Sequence, residues 1–152
     1  MKALASTLVT PEPLQLNGMV KQMVGIVLIS HSSVLAQGAV DLVSQIAGGA
    51  RVVAAGGTYD GRIGTSTELI AKAIKLADQG GGVLLIPDLG SSVLSALSVL
   101  ADLDEKPNGP AVTIADAPFI EGAVAAAVAA SGGLDLFAVA AAAQEARDVR
   151  KL

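Results

Sequence analysis

The chain has 152 residues and a mass of 15.0 kDa, a length that fits one domain. Its 52% apolar content favours a packed core, and its net charge of −4 excludes a general nucleic-acid backbone binder, which needs a basic face. The absence of cysteine excludes disulfides, thiolate zinc sites and cysteine nucleophiles, and a single histidine excludes multi-histidine metal sites.

Residues 1–23 differ from the rest because they show no sustained hydrophobic period and contain Pro11 and Pro13. We expect a flexible N-terminal extension over residues 1–23, followed by one domain over residues 24–152. The mild apolar run at residues 3–9 is too short for a signal peptide, and no stretch suits the ~20 residues that cross a bilayer. A cytoplasmic protein that binds neither membrane nor nucleic acid is therefore expected.

Continuous apolar runs predict strands that are covered on both faces, over residues 25–30, 51–55, 82–87 and 111–115. Apolar residues between and after these runs recur at helical spacing, over residues 34–46, 69–77, 93–101, 119–130 and 134 to about 150. Gly132-Gly133 is a plausible stop for the fourth helix. Strands and helices thus alternate at crossover spacing. This pattern predicts an α/β fold, a mainly parallel four-stranded, doubly wound sheet flanked by helices.

In such sheets, ligands and reactive groups collect beyond the carboxyl ends of the strands. The unusual residues of this chain follow its four predicted strands, at residues 30–33, 56–65, 88–92 and 116–122. We expect these four loops to lie along one edge of the sheet.

His31, the single imidazole, stands where the first strand ends and the first helix begins. The N–H groups and positive dipole end of a helix N-terminus favour a phosphoryl group there. Ser32 or Ser33 could cap this helix or donate a hydrogen bond to phosphate oxygens. Asp88, after the third strand, could accept a hydrogen bond from one ring nitrogen of His31 and leave the other nitrogen as a nucleophile. The alternatives are a structural histidine in a turn and an Asp88 that caps the next helix.

The loop over residues 56–65 is rich in glycine, but it matches neither a dinucleotide-binding fingerprint nor a P-loop. Thr65 and Glu68 have the spacing of a capping box, so this loop is either a turn with an N-cap or a set of backbone and Thr65 hydroxyl contacts around a phosphoryl group. Asp116 and Glu121 fit a turn and a first helical turn better than a catalytic pair, and Arg62 fits a solvated charge. No G-x-S-x-G elbow supports a serine hydrolase.

Four segments together resemble one family: G-I-V-L-I-S-H-S-S (25–33), A-A-G-G-T-Y-D-G-R-I-G-T-S (54–66), D-L-G-S-S (88–92) and D-A-P-F-I-E-G-A (116–123). They are similar to the mannose-type enzyme IIA domains of the bacterial phosphotransferase system. Within that superfamily, they most resemble the phosphotransfer subunit of PEP-dependent dihydroxyacetone kinase. Mannose-transporter IIA domains tend to carry a W-G-G-S-P-type segment where this chain has L-G-S-S, which favours the kinase subunit.

The resemblance implies a function for His31. It would take a phosphoryl group from phospho-HPr and pass it to ADP on the nucleotide-binding subunit of the kinase, which then phosphorylates dihydroxyacetone. Asp88 would orient and charge-stabilise His31, and Thr65 and Ser91 would contact the phosphoryl group. The resemblance also implies a homodimer, and the relay requires neither a metal nor another cofactor.

Three alternatives stay open at this point. The chain could be the IIA domain of a mannose-type sugar transporter, which also accepts phosphate. It could be a non-catalytic regulatory module that accepts phosphate but does not pass it on to ADP. It could also be a small-ligand-binding domain in which His31 is structural.

Overall fold

The computed structural model describes residues 22–152, so the predicted extension lies outside the described residues except for Gln22 and Met23. Met23 opens the first strand. The strands are β1 (Met23–Ser30), β2 (Arg51–Gly56), β3 (Gly80–Pro87) and β4 (Val112–Ile114). The helices are α1 (Ser33–Ile46), α2 (Thr67–Ala77), α3 (Gly90–Asp104), α4 (Phe119–Ser131) and α5 (Leu136–Glu145), followed by a 3₁₀ turn (Ala146–Asp148).

The four strands are parallel and lie in the order β2-β1-β3-β4, which confirms the predicted fold class. Ile29 of β1 is in register with Ala55 of β2 and with Pro87 of β3. The segments that follow β1 and β3 therefore leave the sheet side by side. The winding of the chain reverses between these two strands, and this reversal is the place where parallel sheets build their sites.

Each face of the sheet is covered by its own helical layer. Ile26 and Leu28 of β1 pack in the cluster that contains α1, α4 and α5, whereas Val27 and Ile29 pack in the cluster that contains α2 and α3. Successive strand residues point to opposite faces. Because both faces are buried, the strand sequence is continuously apolar and does not alternate.

The buried residues of helix α4 are all small, and its larger Phe119, Ile120 and Val124 pack against the same core while partly buried. Its buried residues are Gly122, Ala123, Ala126, Ala127, Ala129 and Ala130. Side chains of this size let α4 lie close to α5 and to the sheet. The helix ends as predicted at Gly132-Gly133, where Gly133 takes a φ of 82° that favours glycine.

The helices are short relative to a bilayer. The longest, α3, has 15 residues, and across residues 22–152 we find no helix whose length and apolar character would suffice to cross a membrane.

The prediction for the last helix, residues 134 to about 150, is wrong at both ends. Helix α5 begins only at Leu136, because Asp135 caps it through a 2.9 Å hydrogen bond from an amide of the first turn. It ends at Glu145, where the chain tightens into the 3₁₀ turn. The alanine-rich sequence contains no glycine or proline that would have revealed this change.

Two of the leucines of α3 face solvent. Leu94 and Leu97, in the stripe that predicted this helix, are 70% and 51% exposed, whereas Ala96 and Val99 are buried. Apolar residues surround much of α3, so spacing alone identifies the helix but does not identify its buried side. Ala96 and Val99 face the sheet, and Leu100 and Leu103 pack against the same core cluster while partly buried.

Gly25 allows the closest approach between the sheet and α2. A Cβ atom at this position would lie 1.9 Å from the carbonyl oxygen of Ala77, which is backbone and cannot swing aside. We expect Gly25→Ala to lower the free energy of unfolding by about 2–3 kcal/mol, the usual cost of overpacking a rigid core.

Gly38→Ala is the matched control. Gly38 is an exposed residue within α1, and an added Cβ would meet no atom of residues 22–152 within 4 Å. Alanine there should raise the free energy of unfolding by about 0.5–1 kcal/mol, because it restricts the unfolded chain and favours the helix. Urea denaturation of both variants measures the two changes, and equal effects would contradict this packing.

Candidate functional site

His31 lies between the last residue of β1 and the N-cap of α1. Ser32 caps α1, since its hydroxyl accepts a 3.2 Å hydrogen bond from the Leu35 amide. The backbone of His31 is held on both sides. Its amide donates to Asp88 Oδ2 at 3.0 Å, and its carbonyl accepts from the Gly64 amide at 2.9 Å. The imidazole therefore projects from a fixed stretch of main chain.

Asp88 follows β3 and reaches across the reversal point to His31. Its Oδ1 lies 3.0 Å from His31 Nδ1, so the contact predicted between these side chains is present. The alternative role of Asp88 as a helix cap is not what the structure shows. Leu89 occupies the N-cap position of α3, and among residues 22–152 no side chain caps that helix.

The Asp88 carboxylate accepts hydrogen bonds at both oxygens. Oδ1 accepts from His31 Nδ1 and from the Leu89 amide, the latter at 2.7 Å; Oδ2 accepts from the His31 amide and from the Ser30 hydroxyl, the latter at 2.8 Å. Burial by itself would raise the pKa of this carboxyl, but these hydrogen bonds stabilise the ionised form and hold the pKa below its usual value. The group at this position is therefore a carboxylate anion at neutral pH.

Ser91, in the first turn of α3, contacts the other ring nitrogen. Its hydroxyl lies 2.8 Å from His31 Nε2. A carboxylate only accepts, so in the neutral ring the proton that Asp88 shares belongs to Nδ1. Nε2 then carries the lone pair, which accepts from the Ser91 hydroxyl. The side chain of His31 is 20% exposed, and its contact with Ser91 lies at the surface.

Thr65 has a different contact from the one expected of a capping box. Its hydroxyl lies 2.6 Å from the Ser95 hydroxyl of α3, and the cap of α2 is Ser66, which accepts a 3.2 Å hydrogen bond from an amide of the first turn. Across residues 22–152, no hydrogen bond joins Thr65 to His31. Thr65 ties the glycine-rich loop to α3, next to Gly64, whose amide contacts the carbonyl of His31.

The fourth loop reaches the same edge of the sheet. Asp88 and Asp116 both line a cavity of about 300 Å³ between the loops that follow β3 and β4. Together with the contacts of the other loops to His31, this agrees with the expectation that all four loops share one edge.

The remaining charged residues in these loops form exposed ion pairs. Asp116 pairs with Arg147 at 3.3 Å, Glu121 with Lys151 at 2.6 Å, and Arg62 with Asp60 at 2.6 Å. Asp116 and Glu121 each have their own basic partner. They therefore do not form a carboxylate pair, which agrees with the sequence interpretation.

Sequence reasoning missed two hydroxyl residues of the site, Ser30 and Ser95. Ser30 is fully buried and donates to Asp88. A signal for it was available, because it is the one polar residue at the end of an apolar strand and directly precedes His31. Ser95 gave no such signal, since its contact with Thr65 depends on how α3 packs beside the glycine-rich loop.

Comparison with known proteins identifies a family model over residues 25–140, EIIA-man, described as the PTS system fructose IIA component. A relative from Listeria innocua serovar 6a is 38% identical over 111 residues, covering 70% of this chain and 85% of its own; it is described as PEP-dependent dihydroxyacetone kinase 2, phosphoryl donor subunit DhaM. A phosphotransferase subunit DhaM of the PTS-dependent dihydroxyacetone kinase of Lactococcus lactis is 32% identical, covering 76% of this chain and 89% of the relative.

Other relatives are much longer than this chain. A DhaM subunit from Providencia stuartii is 33% identical over 133 residues, which cover 85% of this chain but 28% of that protein. Among solved structures, the unknown-function protein EF1359 matches with a TM-score of 0.71 at 33% identity, covering 82% of this chain and 95% of that one. The family model covers most of the chain, and the fold agrees with it. The chain therefore belongs to the mannose-type enzyme IIA family of the phosphotransferase system, alongside the DhaM phosphoryl donor subunits.

Proposed function

We propose that this chain is a phosphoryl donor subunit for dihydroxyacetone kinase and that His31 carries the phosphoryl group. The observation that supports this most directly is the pair of ring contacts. The Asp88 carboxylate contacts Nδ1, and the Ser91 hydroxyl contacts Nε2 at the surface. The names of the DhaM relatives support the kinase, and the L-G-S-S segment favours it over a sugar transporter.

The first step is attack by the Nε2 lone pair on the phosphorus of a donor phosphohistidine, which we propose is that of HPr. An N–P bond forms at Nε2 and the N–P bond of the donor breaks, so the donor ring keeps that electron pair. Nδ1 keeps its proton throughout and the imidazole ring gains positive character. The Asp88 carboxylate stabilises that charge at 3.0 Å.

Ser91 changes partner during this step. In the unphosphorylated protein its hydroxyl faces the Nε2 lone pair, so it must turn away as the N–P bond forms. It is then beside the oxygens of the phosphoryl group and can donate to one of them. The N-terminus of α3, which begins at Gly90, supplies N–H groups and a positive dipole end at the same place.

The second step reverses the first with another acceptor. An oxygen of the β-phosphate of ADP, bound on the nucleotide-binding subunit of the kinase, attacks the phosphorus. The N–P bond at Nε2 breaks and the lone pair returns to His31. We propose that Ser32 contributes by capping α1, whose N-terminus lies at His31, and that Thr65 contributes by holding the glycine-rich loop against α3.

A homodimer is proposed from the family resemblance.

His31→Ala should accept no phosphoryl group, whereas the wild type should gain one. Both proteins are incubated with enzyme I, HPr and phosphoenolpyruvate, and intact mass is read before and after acid treatment, since a phosphohistidine is acid-labile. A melting curve checks that the variant is folded. An unmodified wild type alongside fully phosphorylated HPr would contradict the proposal.

The acceptor is tested by chasing the phosphorylated protein with ADP and the nucleotide-binding subunit of the kinase. We expect loss of the phosphoryl group and formation of ATP on that subunit. Components of a mannose-type sugar transporter serve as the comparison. Transfer to the transporter and not to ADP would identify a transporter IIA domain, and no transfer to either would identify a regulatory module.

Asp88→Asn should lower stability in a pH-dependent way. The folded-state pKa of Asp88 is lower than its usual value of 3.8, so its ionised form contributes stability above that pH. We expect the variant to lose about 1–3 kcal/mol of unfolding free energy near neutral pH, because a charge-assisted set of hydrogen bonds is weakened. The difference should shrink as pH falls from 3.8 through the lower folded-state pKa. Urea denaturation across this range measures it, and a difference that does not change with pH would be the contrary result.

A further inference from the structure

We propose that Ser30 is a positioning residue for phosphoryl transfer. In this proposal its buried hydroxyl fixes the Asp88 carboxylate, and Asp88 in turn holds the His31 ring with Nε2 toward the phosphoryl donor. The inference rests on the proposed function of His31, but it concerns a residue that does not touch the donor. Ser30 is fully buried at the end of β1, so it acts on the reaction only through its neighbours.

The hydrogen bonds of Ser30 have a fixed direction. Its oxygen accepts from the Ser32 amide at 3.0 Å, and that amide can only donate. The Ser30 hydroxyl proton is then directed to Asp88 Oδ2, at 2.8 Å. One hydroxyl thus connects the N-cap residue of α1 to the carboxylate that contacts the His31 ring.

The two carboxylate oxygens of Asp88 accept hydrogen bonds from different donors. Oδ1 accepts from His31 Nδ1 and from the Leu89 amide, while Oδ2 accepts from the Ser30 hydroxyl and from the His31 amide. Without the hydroxyl, only the backbone amides of His31 and Leu89 restrain the carboxylate against rotation, and it turns more freely about its Cβ–Cγ bond. Rotation moves Oδ1 away from Nδ1, so the preference for a proton on Nδ1 weakens. The Ser30 hydrogen bond also contributes to the lowered pKa of Asp88, against the effect of burial.

The main test compares Ser30→Ala with wild type in phosphoryl transfer from phospho-HPr. At saturating phospho-HPr, we expect the rate constant to fall roughly tenfold, the loss that corresponds to one charge-assisted hydrogen bond. The KM for phospho-HPr should stay unchanged, because the Ser30 side chain is buried and cannot contact that protein. Because a smaller folded fraction would also lower the apparent rate constant without changing KM, a melting curve of Ser30→Ala must show that it is fully folded at the assay temperature.

Ser92→Ala is the matched control. Ser92 is also a fully buried serine, and its hydroxyl donates to the Leu89 carbonyl at 2.6 Å instead of to Asp88. Both variants remove one buried hydroxyl, so both should lower the melting temperature. Only Ser30→Ala should change the tautomer of the His31 ring.

The protonation of the two ring nitrogens is measured directly by ¹⁵N NMR of the unphosphorylated proteins. Each protein contains one histidine and hence one pair of imidazole signals. In wild type and Ser92→Ala, the neutral ring should show a protonated Nδ1 and an unprotonated Nε2. In Ser30→Ala, the two ¹⁵N shifts should move toward each other as the tautomers mix.

The outcomes separate the two proposals. A wild type that accepts no phosphate overturns the function proposed for His31, whatever the ring signals are. A wild type that accepts phosphate, with a Ser30→Ala variant that matches it in rate constant and in ¹⁵N shifts, overturns the role of Ser30 alone. Equal shift changes in Ser30→Ala and Ser92→Ala would also overturn it, since the effect would then follow from any lost buried hydroxyl.

Discussion

The site depends on one buried carboxylate that two strands bring beside one imidazole. Asp88 takes hydrogen bonds from the ring and amide of His31, from Ser30 and from Leu89, and its side chain is 9% exposed. A buried anion is costly unless it is hydrogen-bonded. The hydrogen bonds that offset this cost also orient the ring, so stability and orientation have the same source.

The sheet supplies the geometry that this carboxylate needs. β1 and β3 are neighbours and in register at their carboxyl ends, so His31 and Asp88 emerge side by side although 57 positions separate them in the chain. The packing around these strands is close. Gly25 brings α2 onto β1, and the alanines of α4 bring the other layer onto the opposite face. Such packing holds both helical layers closely against the sheet from which the site is built.

Much of the fold could be predicted because the strands are buried on both faces, and such strands have continuous apolar sequences. The neighbouring positions of His31 and Asp88 followed from the usual order of a doubly wound sheet. The predictions were weaker where the outcome depends on tertiary packing. The capping position of α2 fell to Ser66 because Thr65 pairs with Ser95 across the gap to α3, and no local pattern contains that contact. The end of α5 and the buried side of α3 were obscured by apolar residues on several faces.

The central claim is that Nε2 of His31 carries the phosphoryl group while Asp88 retains Nδ1. It is tested most directly by phosphorylating ¹⁵N-histidine-labelled protein with enzyme I, HPr and phosphoenolpyruvate and recording the ³¹P–¹⁵N coupling. Because the chain has a single histidine, the spectrum contains one imidazole and its assignment is unambiguous. The account predicts coupling of phosphorus to Nε2, with Nδ1 still protonated. Coupling to Nδ1 would contradict it, because the N–P bond would then occupy the position where Asp88 holds the ring.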